Sequence, residues 1–249
     1  MLDIVTKQEW VIGNCLDLLP SIPDESIDAI ITDLPYGTTH CRWDTRINLD
    51  KLWTEYHRIS KPTTPILLFA QLPFDKVLGC SNLKELRYEW IWEKTQATGH
   101  LNANRMPLKA HENILVFYKK LPTYNPLKTS GHAPINSYTK YVATQNNTEI
   151  YGKVNLEISG GGETDRFPRS VQMFSSDKQT SCIHPTQKPI ALIEYLIKTY
   201  TNEGDTVHDS CIGSGRILEA CKNTNRNCIG FEILDQWVPD YKRILGLDV

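Results

Sequence analysis

A short motif, Asp33-Leu34-Pro35-Tyr36, follows a continuous apolar segment and combines a carboxylate with an aromatic ring. The exocyclic amine of a nucleobase is a weak nucleophile because its lone pair is delocalised into the ring. Hydrogen bonds from the amine to Asp33 and to the backbone carbonyl of Leu34 favour a pyramidal nitrogen with a reactive lone pair. Pro35 fixes the backbone, and Tyr36 offers a face on which a base can stack. The motif predicts chemistry at an amino group, and the alternative is an ordinary turn.

A second segment, Asp209 to Gly215, reads DSCIGSG and joins a predicted strand to a predicted helix. The glycines of a G-x-G turn let a ligand approach the backbone closely. Glu232 ends the next predicted strand, where an acidic side chain is suited to binding ribose hydroxyl groups. Leu218 replaces the third glycine of a dinucleotide fingerprint, so the pattern indicates a nucleoside ligand without a diphosphate. The alternative is a tight structural turn with a surface glutamate.

A third motif is the hexapeptide HPTQKP, residues 184–189, which precedes an amphipathic segment. Pro189 suits the first turn of a helix. Thr186, Lys188 and the helix N-terminus are suited to binding a small carboxylate. The alternative is a plain helix start.

The elements around these motifs alternate between apolar strands and amphipathic helices. Strands are predicted at 10–13, 27–32, 65–70, 87–94, 113–119, 205–209 and 227–232, and helices at 48–60, 73–79, 190–200, 216–222 and 234–245. The alternation predicts an α/β fold with a mostly parallel sheet of about seven strands, covered on both faces. Ligands bind such sheets at the carboxyl ends of the strands, where the motifs fall. Residues 120–183 interrupt this pattern with loop-rich sequence.

Composition bounds the class of protein. The 249 residues suit one large domain or a core with an insertion, and seven cysteines without a C-x-x-C pair argue against a disulfide scaffold or a regular zinc site. The chain begins without the apolar core of a signal peptide, and its apolar stretches are too short to span a membrane. We therefore expect a cytoplasmic protein with no membrane partner.

The charge is unevenly distributed along the chain. The formal net charge is −2, but residues 94–140 carry seven lysine or arginine residues against one glutamate. With the nearby aromatic and amide side chains, this segment suits contact with phosphates and bases. The candidate DNA-binding residues are Lys94, Arg105, Lys109 and Lys128. The alternative is a solvated loop region, because charge clusters are common.

Taken together, DLPYG, HPTQKP and DSCIGSG followed by GFE resemble the amino-methyltransferases that use S-adenosylmethionine to modify DNA. The chain looks most like the permuted group, in which the catalytic D-x-P-Y precedes the cofactor-binding segment, and is similar to small phage and bacterial adenine-N6 enzymes. The resemblance implies a circularly permuted, Rossmann-like, seven-stranded class I methyltransferase sheet. Residues 1–249 would form one catalytic domain, with 120–183 as an inserted target-recognition region and the cofactor site built from both ends of the chain.

The resemblance also implies the role of each matched residue, and it implies no metal. Catalysis is assigned to Asp33, Leu34, Pro35 and Tyr36, with Leu34 in place of the family's usual proline. Cofactor binding is assigned to Asn14, Cys15, Thr186, Lys188, Asp209, Cys211, Gly213, Ser214, Gly215 and Glu232. Asn14 replaces the usual aspartate, and Ser210-Cys211 replaces the usual Pro-Phe. His111-Glu112 resembles a further family element to which no role is assigned.

Four functions remain open on the sequence. Adenine N6 and cytosine N4 present the same chemical problem, and the initial Asp33 favours adenine within the resembled family. Methylation of RNA or of a protein amide is a rival, although such relatives usually begin the motif with Asn and lack the permuted order. A non-catalytic nucleic-acid-binding module is disfavoured by the intact motifs. The expected partner is double-stranded DNA in a bacterial or phage-infected cell, and a homodimer remains possible.

Overall fold

The computed structural model describes residues 7–37, 44–135, 138–141, 158–175 and 187–247. The strands are β1 (Gln8–Ile12), β2 (Ala29–Thr32), β3 (Ile66–Ala70), β4 (Leu86–Thr98), β5 (Lys109–Phe117), β6 (Tyr138–Tyr141), β7 (Ile158–Gly160), β8 (Val171–Phe174), β9 (Thr206–Asp209) and β10 (Asn227–Glu232). The α-helices are α1 (Cys15–Leu18), α2 (Leu49–Ile59), α3 (Phe74–Ser81), α4 (Ile190–Tyr200), α5 (Arg216–Asn223) and α6 (Val238–Leu245). The predicted alternation of strands and helices is thus observed.

The main sheet has the strand order β1-β10-β9-β2-β3-β5-β4-β8. The first five strands in this order are parallel, and β5 runs antiparallel to both β3 and β4. The first strand of the chain therefore pairs with the last, with Gln8 opposite Cys228 and Ile12 opposite Glu232. This pairing brings the two ends of the chain together at one edge of the sheet.

Two hydrophobic clusters cover the opposite faces of the sheet, as the alternation of side chains along a strand requires. Ile31, Leu67 and Phe69 belong to the cluster that includes α4 and α5. Ile30 and Leu68 belong to the cluster that includes α2. The continuous apolar sequence of β2 and β3 is explained by this burial on both faces.

The sheet has one strand more than the sequence predicts. The additional strand, β8, pairs in parallel with β4 from Ile91 opposite Val171 to Lys94 opposite Phe174. It lies in the segment 120–183, which reads as loop-rich. Its four residues alternate between exposed and half-buried at the edge of the sheet, and so short an edge strand leaves little apolar periodicity in the sequence.

The chain divides into two compact units. The larger unit contains Met1–Asn125 and Ser170–Val249, and the smaller contains Pro126–Arg169. Within the smaller unit, β6 and β7 form a two-stranded antiparallel sheet. Among the described residues, no helix is long and apolar enough to cross a membrane.

Candidate active site

A cavity of about 560 Å³ opens at the carboxyl ends of the parallel strands in the larger unit. Its wall includes the turns that follow β1, β2, β9 and β10. Of the candidate residues, Asn14, Cys15, Asp33, Leu34, Pro35, Tyr36, Lys188, Asp209, Cys211, Gly213, Ser214 and Glu232 line it. The structure therefore brings together three motifs that are far apart in the sequence. Thr186 lies outside the described residues.

The turn after β2 presents Asp33 to this cavity. Asp33 Oδ1 accepts a hydrogen bond from the Tyr36 hydroxyl at 2.8 Å. The Tyr36 ring is buried and stacks on Phe74, with ring centroids 5.3 Å apart. Burial is the main reason that the pKa of Tyr36 is raised well above its usual value, and the charge of Asp33 adds to the shift. The Leu34 side chain packs into the core, and the residue also lines the cavity.

Two residues that the sequence analysis did not single out support this turn. Asp44 is buried, and its Oδ1 accepts a hydrogen bond from the Gly37 amide at 2.8 Å. Arg46 Nε donates a hydrogen bond to the Tyr36 carbonyl at 3.1 Å. Both residues line the cavity. Neither belongs to a recognisable motif, so only the folded chain reveals them.

Lys188 reaches the turn after β2 from the segment that precedes α4. Its Nζ lies 2.5 Å from Asp33 Oδ2 and 3.2 Å from Glu112 Oε2. Burial alone lowers the pKa of a lysine, but the charges of Asp33 and Glu112 outweigh burial and leave the pKa of Lys188 raised. Lys188 is therefore protonated at neutral pH and lies between two carboxylates. The sequence grouped it with the cofactor contacts and did not foresee this pairing.

At the other end of the cavity, the loop after β9 is joined to the end of β10. Glu232 Oε2 accepts a hydrogen bond from the Gly213 amide at 2.9 Å, and Oε1 accepts one from the Leu234 amide at 3.0 Å. Burial raises the pKa of Glu232, and these amide hydrogen bonds oppose the rise. The carboxylate is thereby oriented at a strand end, as expected for a group that binds hydroxyls.

Asp209 ends β9 and is buried in the same wall. Burial raises the pKa of its carboxyl group to about 8, although the Cys211 amide donates a hydrogen bond to Oδ1 at 2.9 Å. Gly215 stands behind the wall with a φ of +79°, and a Cβ there would lie 2.7 Å from the Tyr241 ring. A side chain at position 215 is therefore excluded by both backbone conformation and space.

The turn after β1 contributes Asn14 and Cys15 to the wall. Asn14 caps α1, because its side-chain oxygen accepts a hydrogen bond from the Leu16 amide at 3.0 Å. Its amide nitrogen is still able to donate a hydrogen bond. Cys15 hydrogen-bonds through its side chain to Cys211, which lowers the pKa of Cys15 and raises that of Cys211.

The candidate DNA-binding residues do not share one environment. Arg105 and Lys109 are exposed on the loop and strand that follow β4. Lys128 is exposed in the smaller unit, where its Nζ lies 4.3 Å from the centre of the Phe167 ring. Lys94 is different, since its side chain is only 14% exposed and its Nζ pairs with Glu112 Oε1 at 2.5 Å. The structure does not bring Lys94 to the surface with the other three.

The fold and the site together define a class of protein. Strand β5 is antiparallel in a sheet whose first five strands are parallel, as in the Rossmann-like sheet of class I methyltransferases. The cavity at the strand ends is lined by a G-x-G turn, by an acidic residue that ends the next strand, and by D-x-P-Y. The protein has the fold of a class I methyltransferase, arranged in the permuted order that the sequence predicts.

Comparison with known proteins identifies the family. Residues 27–243 match the family described as DNA methylase. The chain is 30% identical over 246 residues to the type II methyltransferase M.HpaI of Haemophilus parainfluenzae, covering 93% of this chain and 72% of that protein. The structure of an M1.HpyAVI–SAM complex superposes with a TM-score of 0.67 at 22% identity, covering 96% of this chain and 100% of that one. The PvuII DNA methyltransferase, described as cytosine-N4-specific, superposes with a TM-score of 0.65 at 15% identity, covering 98% and 94%.

The chain belongs to the DNA methylase family. It is a DNA methyltransferase, and its methyl donor is S-adenosylmethionine. The resemblance inferred from the three motifs is thereby confirmed at the level of family, fold and cofactor.

Proposed function

We propose that this enzyme methylates the N6 amine of adenine in double-stranded DNA, after the base has rotated out of the helix into the cavity beside Asp33. The observation that carries the proposal is the position of Asp33, whose carboxylate lines the cavity directly after β2. A base inside a duplex cannot present its amine to such a recess, so base flipping is required. The initial aspartate of the motif favours adenine as the target.

The chemistry of the cavity wall fits S-adenosylmethionine. The Glu232 carboxylate suits the ribose hydroxyls, and Asn14 and Cys15 suit the edge of the adenine. The remaining proposed contacts are Asp209, Cys211, Gly213, Ser214, Thr186 and Lys188, and Gly215 is proposed to shape the turn behind them. The volume of about 560 Å³ lies within the range of small-molecule sites. When bound, the cofactor supplies an electrophilic methyl group on a sulfonium sulfur.

Asp33 and Leu34 prepare the nucleophile. The Asp33 carboxylate accepts one hydrogen bond from the base amine, and the Leu34 carbonyl accepts the other. These two contacts favour a pyramidal nitrogen and orient its lone pair, so most of the rate enhancement comes from positioning. Because the ring of Tyr36 is packed against Phe74, it forms a rigid side of the base pocket. After transfer, the surplus proton on the nitrogen passes to Asp33.

The DNA contacts are proposed for two parts of the chain. Arg105 and Lys109 contact phosphates from the β4–β5 hairpin, and Lys128 does so from the smaller unit. Lys94 is not part of this set, because it is held by Glu112. The inserted segment 120–183 is proposed to read the target sequence, and its small size suggests a short site.

Cytosine N4 is the second candidate target. The similarly folded PvuII enzyme is described as cytosine-N4-specific, and the amine of cytosine presents the same chemical problem to Asp33. One experiment separates the candidates: DNA is incubated with the enzyme and methyl-labelled cofactor, digested to nucleosides and analysed for the labelled product. We expect label in N6-methyldeoxyadenosine, whereas label in N4-methyldeoxycytidine would overturn the choice of base.

Replacement of the catalytic carboxylate tests the proposed site itself. Asp33→Ala is expected to lower the methyl-transfer rate by at least about 100-fold, because the amine loses its orienting acceptor. Cofactor affinity, measured by calorimetry, is expected to survive. Asp17→Ala removes an exposed carboxylate from α1 and serves as the matched control with unchanged activity. Full activity of Asp33→Ala would exclude the assignment.

A further inference from the structure

Four charged side chains form a row of alternating sign that leads from the cavity into the sheet. The row begins at Asp33, whose Oδ2 lies 2.5 Å from Lys188 Nζ. Lys188 Nζ lies 3.2 Å from Glu112 Oε2, and Glu112 Oε1 lies 2.5 Å from Lys94 Nζ. Two cations and two anions balance, so the row is neutral as a whole.

The row is buried except at its catalytic end. The side chains of Lys188, Glu112 and Lys94 are 9%, 11% and 14% exposed, whereas that of Asp33 is 30% exposed. The four residues come from separate parts of the larger unit: Lys94 from β4, Glu112 from β5, Asp33 from the turn after β2, and Lys188 from the segment before α4. The position of Lys188 beside Asp33 therefore depends on Glu112 and Lys94, which are held by β5 and β4.

Glu112 remains ionised at this position. Burial raises the pKa of a carboxyl group, but the charges of Lys188 and Lys94 outweigh it and leave the pKa of Glu112 lowered. An ion pair removed from water gains little stability over apolar packing of the same shape. The placement of a buried charge between two lysines, one of which holds the catalytic carboxylate, therefore points to a role in the reaction.

We propose that Glu112 is a positioning residue for methyl transfer, acting on Asp33 through Lys188. This inference rests on the proposed function of Asp33. Glu112, itself held by Lys94, fixes where the Lys188 ammonium lies and takes up part of its charge. Lys188 then holds Oδ2 of Asp33 without neutralising the carboxylate, which keeps its strength as an acceptor for the base amine. Without Glu112, Lys188 is balanced by Asp33 alone and pulls it from the orientation that the amine requires.

The test is a double-mutant cycle on the single-turnover methyl-transfer rate. Glu112→Gln keeps the shape of the side chain and removes its charge, and we expect it to slow transfer by about 10- to 100-fold, the effect of misplacing a reacting group. Lys188→Met removes the ammonium group through which Glu112 is proposed to act. If Glu112 acts through Lys188, Glu112→Gln changes the rate by less than about twofold in the Lys188→Met background. An equal loss in both backgrounds would overturn the inference.

Binding measurements distinguish positioning from a structural or cofactor-binding role. Calorimetry with S-adenosylmethionine and fluorescence titration with DNA are expected to give wild-type affinities for Glu112→Gln within about twofold, since only a reacting group is displaced. Loss of cofactor or DNA affinity that accounts for the slower transfer would contradict the inference. Glu93→Gln removes the same charge from an exposed neighbour of Lys94 in β4 and is expected to retain the wild-type rate.

A second variant guards against misfolding of Glu112→Gln. Lys94→Gln removes the ion pair at Oε1 of Glu112. We expect it to slow transfer less than Glu112→Gln does, and we expect this loss also to disappear in the Lys188→Met background. A loss that persists there would overturn the inference. Because the cycle compares rates of the same reaction, its outcome is independent of which base is methylated. A wild-type protein that transfers no label to DNA would instead overturn the proposed function.

Discussion

At the scale of single residues, the buried Asp209 carboxyl group makes stability depend on pH. Its pKa rises from an ordinary value of 3.8 to about 8 because burial penalises the charged form. Between about pH 4 and pH 8, the folded protein therefore retains a proton that the unfolded chain has lost. The free energy of unfolding therefore falls as the pH rises through this range. Above about pH 8, Asp209 causes no further change. A group proposed to contact the cofactor thus lowers the stability of the free enzyme at neutral and alkaline pH.

Replacing this group should remove its part of the pH dependence. Asp209→Asn is expected to raise the free energy of unfolding at pH 8 by about 1–3 kcal/mol, because a neutral amide is less costly to bury than a carboxylate. Urea denaturation of the free protein at pH 5 and pH 8 measures the change. Asp235→Asn, at an exposed position, is the control that should follow the wild type. A pH slope in Asp209→Asn as steep as in the wild type would contradict this account.

At the scale of secondary structure, the β4–β5 hairpin contributes to the candidate active site and to the proposed DNA contact. Its inner part supplies Lys94 and Glu112. Beyond them, β4 continues to Thr98, which pairs with Lys109, and the connecting loop carries the exposed Arg105. The sequence predicts β4 only as far as residue 94, because the alternation of apolar residues stops there. Past that residue the pairing with β5 is irregular, and it resumes only where Thr98 lies opposite Lys109.

The outer part of this hairpin is expected to contribute affinity for DNA without contributing to catalysis. Arg105→Ala and Lys109→Ala should each weaken DNA binding and reduce the slope of log affinity against log salt by about 1, since one phosphate contact is lost. Fluorescence anisotropy at several salt concentrations measures both quantities. Lys84→Ala alters an exposed lysine just before β4, at the opposite end of the strand, and should match the wild type. Unchanged salt slopes in both hairpin variants would remove the hairpin from the interface.

At the scale of the whole molecule, the proposed catalysis and the proposed target recognition belong to different parts of the chain. The larger unit contains both hydrophobic clusters and all residues that line the described cavity. The smaller unit, Pro126–Arg169, lies within the segment proposed to read the target sequence. The larger unit should therefore fold and bind the cofactor without the side chains of the smaller one.

A replacement experiment tests this division of roles. Residues 126–169 are exchanged for a Gly-Ser linker of equal length. Such a linker is flexible and long enough to connect the two segments of the larger unit without strain. We expect a cooperatively unfolding protein that binds S-adenosylmethionine with near wild-type affinity, because its site is complete. Its methylation of DNA should be weak and without sequence preference, as sequencing of methylated sites would show. Retention of the wild-type target preference would place recognition in the larger unit.

The sequence by itself determined the class of fold and the position of the D-x-P-Y motif at the end of a strand. Apolar strands such as β2 and β9 are local patterns, and the residues that follow parallel strands must meet at one edge of the sheet. Leu34 illustrates the limit, since the motif indicates a backbone role but not the burial of its side chain. The sequence analysis also did not predict strand β8, because an edge strand of four residues has too little periodicity to be recognised.

Only the tertiary structure decided which charges meet. Lys188 and Asp33 are 155 positions apart in the chain, so no local pattern could pair them. Lys94 counts toward the basic segment in the sequence, yet in the fold Glu112, 18 positions away, binds its charge beneath the surface. The type of a side chain determines which interactions a residue can make. The packing of distant strands determines its partner and its exposure to water. The proposed roles of Lys188, Glu112 and Lys94 depend on those partners, which only the fold brings together.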